Sequence, residues 1–395
     1  MKHFYSTLLL AFNVLFLSLQ SVGQTTEMND MVYHSRHIYL KSVLNGKSAN
    51  FVFDTGADMV YVDSTFLAGS GLKFSKVGYA MLGGVGGKQQ KVKMIFDDAI
   101  LNLYGKEYKP KMAPVIQLKP ILGDKADGLF GIQGLAGKAI IIDYANEKIG
   151  FVNQLSNADI EGFTPVDIEV TSNRIYLPVA ISIDENITIT GKAMMDLGSG
   201  GSVSISAAVA NRYKLSNIKE KFGLTYEIGG IGGKSSSWQF RAKKSTIASF
   251  DMNDLIIEYS TDSGGALSGK SDHIGLIGNK VWERFYVIID LKNKRLYLKP
   301  NSLFNNMSVF NTLGFTFTDR SKTLDCWVVN GLYHGSEAER AGLKGGDRIL
   351  ELNGKDVKSI SEVEQEAIYK TKGEVTLSVK PPQGEMVKRL IFSVL

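Results

Sequence analysis

Cysteine is nearly absent: the one thiol in 395 residues is Cys326. A lone thiol excludes an internal disulfide and a multi-cysteine zinc site. Stability must therefore come from a buried core, which a chain of this length can form. Histidine is scarce as well, with His3, His34, His37, His273 and His334 and no His-Glu-x-x-His pattern, so a zinc hydrolase of that kind is not expected. His34 and His37 read as surface residues rather than ligands. No dense Lys/Arg run occurs and the net charge is only +5, so nucleic acid is not an expected partner. No Pro-rich or Ser-rich linker divides the chain. Apolar residues make up 44% and charged residues 22%, the balance of a globular protein rather than a disordered or multi-span one.

The one long apolar run is N-terminal, from Leu8 to Leu19 after Lys2, with small residues Ser21 and Gly23 behind it. This is the order of a secretory signal peptide cleaved after Gly23, and the run is short for a membrane span. No cysteine follows it, so a lipoprotein anchor is not expected. An uncleaved N-terminal anchor is the alternative. The expectation is an exported protein, periplasmic or extracellular, with no stable membrane span after cleavage.

Glycine is in excess, 41 residues, and much of it belongs to a divergent internal repeat. Ile38-Tyr39-Leu40 recurs as Ile175-Tyr176-Leu177. Phe51-Val52-Phe53-Asp54-Thr55-Gly56-Ala57 recurs as Ala193-Met194-Met195-Asp196-Leu197-Gly198-Ser199. Leu82-Gly83-Gly84-Val85-Gly86-Gly87-Lys88 recurs as Ile228-Gly229-Gly230-Ile231-Gly232-Gly233-Lys234. Gly128-Leu129-Phe130-Gly131 recurs as Gly275-Leu276-Ile277-Gly278, and an Ile-Ile-Asp ending at Asp143 recurs at Asp290. The offsets drift only from 137 to 147 residues, as loop-length changes would make them. Local patterns are mostly β: Ile38 to Leu44 and Ile175 to Ile183 alternate, and Asn45-Gly46 signals a hairpin. The expected fold class is mainly β, with two homologous lobes at 24–160 and 161–302.

Asp54 and Asp196 hold matching places, each after an apolar strand and before an x-Gly. Such a turn presents a carboxylate at the end of a buried strand. If the lobes face each other about a pseudo-twofold axis, the carboxylates meet, and two like charges so close share one proton. One then serves as base towards a water and the other as acid towards a substrate carbonyl. A phosphate loop at 229–235 fails because Ile228 stands where its first glycine is required. Ser199 and Ser202 lack the Gly-x-Ser-x-Gly elbow.

Phe53-Asp54-Thr55-Gly56-Ala57-Asp58 resembles the active-site signature of retropepsin-type aspartic proteases. The strings from Met81 to Gly87 and from Ile228 to Gly233 resemble the flap tips of that family. Leu129-Phe130-Gly131 and Leu276-Ile277-Gly278 resemble its segment beneath the active-site loop. The resemblance covers roughly 38–151 and 175–300 and implies a fused, two-lobe form, each lobe with a flap hairpin. It implies that Asp54 and Asp196 are the catalytic dyad, that Thr55, Gly56, Gly198 and Ser199 support it, and that Asp58 contacts the substrate main chain. Gly83, Gly84, Val85, Gly86, Gly229, Gly230, Ile231 and Gly232 would close over an extended peptide. No cofactor or metal is implied, and the catalytic unit is expected to be monomeric. One position departs from the pattern: the family has Thr or Ser where Leu197 stands. Only the Thr55 half of the hydroxyl lattice between the lobes would survive, though Ser199 could still hydrogen-bond Asp196. An active peptidase and a pseudo-protease that grips peptides without cutting them both remain open.

The last ninety residues do not repeat either lobe. Leu313-Gly314-Phe315-Thr316, then Ala341-Gly342-Leu343, Gly346-Asp347-Arg348-Ile349 and Asn353-Gly354, resemble a PDZ domain at 305–395. That likeness implies a carboxylate-binding loop at Leu313, Gly314, Phe315 and Thr316, with a C-terminal peptide ligand added as a strand. An amphipathic helix is expected over Ser359 to Lys370, with Ile360, Val363, Ala367 and Ile368 on its apolar side. Leu390 to Leu395 reads as a closing strand.

Overall fold

The computed structural model describes residues 27–83, 89–227, 233–269, 272–384 and 386–394. The N-terminal stretch expected to be a signal peptide lies outside them. The chain is mainly β, and the repeat in the sequence is a repeat in strand pairing. In the first lobe His37–Leu44 pairs antiparallel with Lys47–Phe53 through the Asn45-Gly46 turn. Both turn residues have positive φ, 43° and 82°, as this tight hairpin requires. Lys47–Phe53 then pairs in parallel with Gly128–Phe130, which pairs antiparallel with Val60–Asp63. The second lobe repeats each step. Arg174–Ser182 pairs with Thr188–Met195, which lies parallel to Gly275–Ile277, which is antiparallel to Val203–Ile205.

Each lobe then adds three more strands in the same order. Val60–Asp63 leads to Met112–Ile116, Gln90–Phe96 and Val77–Leu82; Val203–Ile205 leads to Ile256–Ser260, Ser235–Arg241 and Phe222–Tyr226. The last two strands of each set pair antiparallel and, in sequence, flank the Gly-rich string. A separate six-stranded sheet ties the lobes together: Ala139–Asp143 pairs antiparallel with Phe285–Asp290, so the two Ile-Ile-Asp copies lie side by side. Asp143 caps the Asn146 N–H and Asp290 caps the Asn293 N–H, the same turn twice. One apolar core runs through both lobes, with Phe53, Phe130, Ile140, Ile277 and Ile289 wholly buried.

The C-terminal residues have their own core around Phe315, Trp327, Ile349 and Leu377. Lys388–Val394 closes that sheet against Gly373–Lys380, as expected. The helix is shorter than the pattern suggests, Glu362–Ile368, and begins with a capping box between Ser361 and Glu364. Its apolar spacing misleads in one respect. Ile368 is buried, but Val363 is 81% exposed, because Val363 and Ala367 line an open groove rather than the core.

Candidate active site

Asp54 and Asp196 leave their strands at matching points. The Asp54 N–H donates to Phe130 O at 3.0 Å and the Asp196 N–H to Ile277 O at 2.9 Å. The apolar-Gly segments therefore hold the two turns from beneath. Asp54 Oδ1 accepts the N–H groups of Gly56 (2.8 Å) and Ala57 (3.0 Å); Asp196 Oδ1 accepts that of Gly198 at 3.0 Å. The glycines cross over. A Cβ on Gly56 would lie 2.7 Å from Asp196 Oδ1, and one on Gly198 would lie 2.2 Å from Asp54 Cγ. Each turn thus requires glycine because the other lobe's carboxyl group rests on it.

The two carboxyls are hydrogen-bonded to each other at the floor of a cleft of about 1860 Å³. Burial raises the pKa of both. The charge on Asp54 raises Asp196 further, well above the usual carboxylate range. Two acids this close titrate as a pair, in two steps that belong to neither residue alone.

Thr55 is wholly buried; its hydroxyl donates to Met195 O (2.7 Å) and accepts the Leu197 N–H (3.0 Å). Leu197 is also wholly buried and packs into the core. Its loop is held instead by Asn279, whose Nδ2 donates to Leu197 O (2.6 Å) and Arg36 O (2.8 Å) while its Oδ1 accepts the Tyr144 hydroxyl. The Ser199 main chain, not its hydroxyl, bonds Asp196, and the hydroxyl accepts the Gly201 N–H. Asn279 was not singled out from sequence; its only signal is that it directly follows the second apolar-Gly end.

The Asp58 carboxylate accepts the Tyr61 hydroxyl at 2.8 Å and lies 3.8 Å from Arg174, and Asp58 is not among the residues that line the cleft. Gly83 lines the cleft at the base of the first flap. Gly84, Val85, Gly86, Gly229, Gly230, Ile231 and Gly232 lie outside the described residues. His34 and His37 are not the surface residues expected. Both line the cleft: His34 is paired with Glu362 at 3.0 Å, and burial pushes His37 down to about 4.

In the C-terminal domain Leu313 and Phe315 are buried, Gly314 takes a left-handed φ of 81°, and Thr316 faces the cleft. The strand Phe315–Arg320 has one sheet partner, Cys326–Tyr333. Its other edge, where an added peptide strand would pair, is already engaged by this chain. Phe315 O accepts from Asn311 Nδ2 (2.7 Å), the Phe317 main chain bonds the Tyr369 hydroxyl, and Asp319 O accepts the Asp124 N–H (3.0 Å). The Asp124 carboxylate takes Arg320 Nε (2.7 Å), the N–H groups of Lys322 (3.0 Å) and Thr323 (2.8 Å), and the Thr323 hydroxyl (2.6 Å). Burial alone would raise its pKa, but these donors outweigh burial and lower it. The helix Glu362–Ile368 is pinned to the first lobe through His34, Lys125 and Arg36.

The same domain also joins the second flap. Cys326–Tyr333 pairs antiparallel with Phe222–Tyr226, in register Leu224↔Tyr333 and Tyr226↔Gly331. Gly223 and Gly331 permit the approach: a Cβ on Gly223 would lie 2.5 Å from His334 Nδ1, and one on Gly331 would lie 3.1 Å from the Tyr226 ring.

Among curated proteins, none matches the chain. Among solved structures the chain is similar to the aspartic proteinase from Irpex lacteus, at 12% identity and TM-score 0.41, over 71% of this chain and 98% of that one. The PDZ domain family model matches residues 310–380, and that segment is a PDZ domain.

Proposed function

We propose that the chain is an aspartic-type endopeptidase, with Asp54 and Asp196 as the dyad and residues 24–160 and 161–302 as the two lobes of one catalytic unit. The observation that carries this reading is the crossed packing of Gly56 and Gly198 against the opposite carboxyl groups. It brings two acids into hydrogen-bond contact on the floor of an open cleft, where they share a proton. In the reaction, the ionised carboxyl removes a proton from a water as its oxygen attacks the peptide carbonyl carbon. The protonated carboxyl gives its proton to the carbonyl oxygen. On collapse a hydroxyl of that intermediate returns its proton to the second carboxyl as C=O re-forms, the C–N bond breaks, and the amine leaves with the proton taken from water. The flap hairpins would cover an extended peptide and exclude water. The PDZ domain would recruit protein substrates or partners through a C-terminal peptide. The leader at 1–23 would direct export to the periplasm or beyond.

The test is digestion of an unstructured protein by the purified chain and by Asp54→Asn and Asp196→Asn. Cleavage that stops in both variants and under a pepstatin-type inhibitor supports the reading; full activity in either variant overturns it. A second reading is a peptide-binding pseudo-protease. Leu197 favours it, because the hydroxyl pairing between the lobes is one-sided.

A further inference from the structure

The pseudo-twofold pairing allows the two cleft walls to be compared position by position. Leu129 stands opposite Tyr61 in the first lobe and Leu276 opposite Ser204 in the second, so Tyr61 and Ser204 are equivalent. Carrying the register outward makes Met94 equivalent to Gln239, Val92 to Ser237, Ile116 to Ser260 and Pro114 to Glu258. In the first lobe Tyr61, Val92, Met94 and Ile116 belong to one buried apolar cluster, of which Tyr61 lines the cleft. In the second lobe every one of these positions is polar, and Ser204, Ser237, Gln239, Glu258 and Ser260 all line the cleft. Equivalent positions therefore have opposite chemistry: apolar and mostly packed away in the first lobe, polar and facing the cleft in the second.

Glu258 is the only acid of that second-lobe set. Ser204 Oγ donates to its Oε1 at 2.7 Å; Ser237 Oγ and Gln239 Nε2 reach its Oε2 at 3.1 and 3.4 Å. Tyr333 of the PDZ domain holds Gln239 through Oε1 at 2.8 Å, which fixes the amide with its NH₂ towards Glu258. The three donors are all neutral. No Lys, Arg or His nitrogen among the described residues pairs with Glu258. Lys280 lines the same cavity and feels the charge of Glu258, but makes no ion pair with it. Three fixed neutral donors orient a carboxylate that lines the cleft, keeps acceptor capacity to spare and forms no ion pair among the described residues. A carboxylate in that state favours a cation supplied by the ligand.

We propose that Glu258 is a specificity residue: the second-lobe wall takes a Lys or Arg side chain of the substrate, while the equivalent first-lobe positions are apolar. This rests on the endopeptidase reading and adds a substrate class to it, extended peptides with a basic residue at one fixed distance from the scissile bond.

The test uses the full chain and decapeptides in which one Arg, or its neutral isostere citrulline, is walked through every position. Cleavage is read by mass spectrometry, and binding by fluorescence anisotropy of the labelled peptides on Asp196→Asn. The expected result is a preference for Arg over citrulline at one position of about tenfold or more, as a single hydrogen bond to a charged group supplies. In Glu258→Gln, which keeps size and neutral bonding, that ratio should collapse towards one; in Glu258→Lys it should invert in favour of Glu-bearing peptides. An Arg-to-citrulline ratio near one at every position, or a ratio unchanged in Glu258→Gln, overturns the proposal. If no peptide is cut, the endopeptidase reading fails and the anisotropy ratios still decide the role of Glu258.

Discussion

The hydroxyl of Thr55 reaches across the lobe boundary to the Met195 carbonyl and takes back the N–H of Leu197, while Leu197 returns only packing. The dyad floor is thus joined by one polar clasp rather than two. Asn279 holds the far side of the Leu197 loop by the loop's own carbonyl.

Thr55→Val keeps the shape of the side chain and leaves a buried carbonyl and a buried N–H without a partner. Stability should fall by roughly 1–3 kcal/mol. Urea unfolding at constant m-value measures this, and the cleavage rate should fall with it. Leu197→Thr should do the reverse to activity at some cost in core packing. A gain in turnover would identify the natural site as a handicapped enzyme.

Gly198→Ala places a methyl where Asp54 now sits. Cleavage should be lost, with Asp54 displaced from Asp196 in a crystal structure of the variant. Gly69→Ala is the control. Gly69 lies in the helix Ser64–Ser70 with nothing within 4 Å of an added Cβ. It should be neutral or stabilising by about 0.5–1 kcal/mol.

The dyad and Asp124 titrate in opposite senses. The raised pKa of Asp196 means the folded chain holds that proton more tightly than the unfolded chain. This stability is full below the ordinary carboxyl value near 4 and is lost as pH rises through the folded value. Asp196→Asn should therefore melt higher than the parent chain at pH 8, with the gap closing by pH 4. Activity should follow a bell whose upper limb is set by loss of the shared proton.

Asp124 is lowered, so its contribution is present above the ordinary carboxyl range and disappears as pH falls through its folded value. Asp124→Ala strips four hydrogen bonds and leaves Arg320 buried without its carboxylate, a loss of about 3–5 kcal/mol for a broken buried pair. With its side-chain anchors to Arg320, Lys322 and Thr323 gone, the Asp124 segment should come away more readily from the engaged edge of Phe315–Arg320. C-terminal peptides should then bind the PDZ domain more tightly than they bind the parent chain, as read by calorimetry. Equal affinity would mean the Asp124 contact does not obstruct the groove.

Much of this was legible because it is carried by side-chain identity. Asp-x-Gly, the apolar-Gly ends and Asn45-Gly46 each encode a local backbone requirement, and their recurrence located both turns of the site. What stayed hidden depends on contacts between distant segments. Asn279 resembles any polar residue after a glycine until Leu197 and Arg36 fold against it. His34 and His37 read as surface residues because the elements that cover them come from the second lobe and from the helix Glu362–Ile368. Val363 fits a helical apolar pattern, yet whether that face meets a core or a groove is set by packing, not by period. The pairing of Phe222–Tyr226 with Cys326–Tyr333 is made by main-chain groups, which no side-chain pattern announces.

That last pairing gives the PDZ domain a second duty. The equivalent first-lobe strand, Val77–Leu82, ends its sheet with Val77, Tyr79 and Met81 exposed. Without the C-terminal domain, Phe222–Tyr226 would be a second bare edge on the same molecule, with its N–H and C=O groups open to any passing strand. The PDZ domain thereby covers one sheet end that would otherwise be a template for another chain, and colloidal behaviour, as much as ligand capture, bears on where it sits.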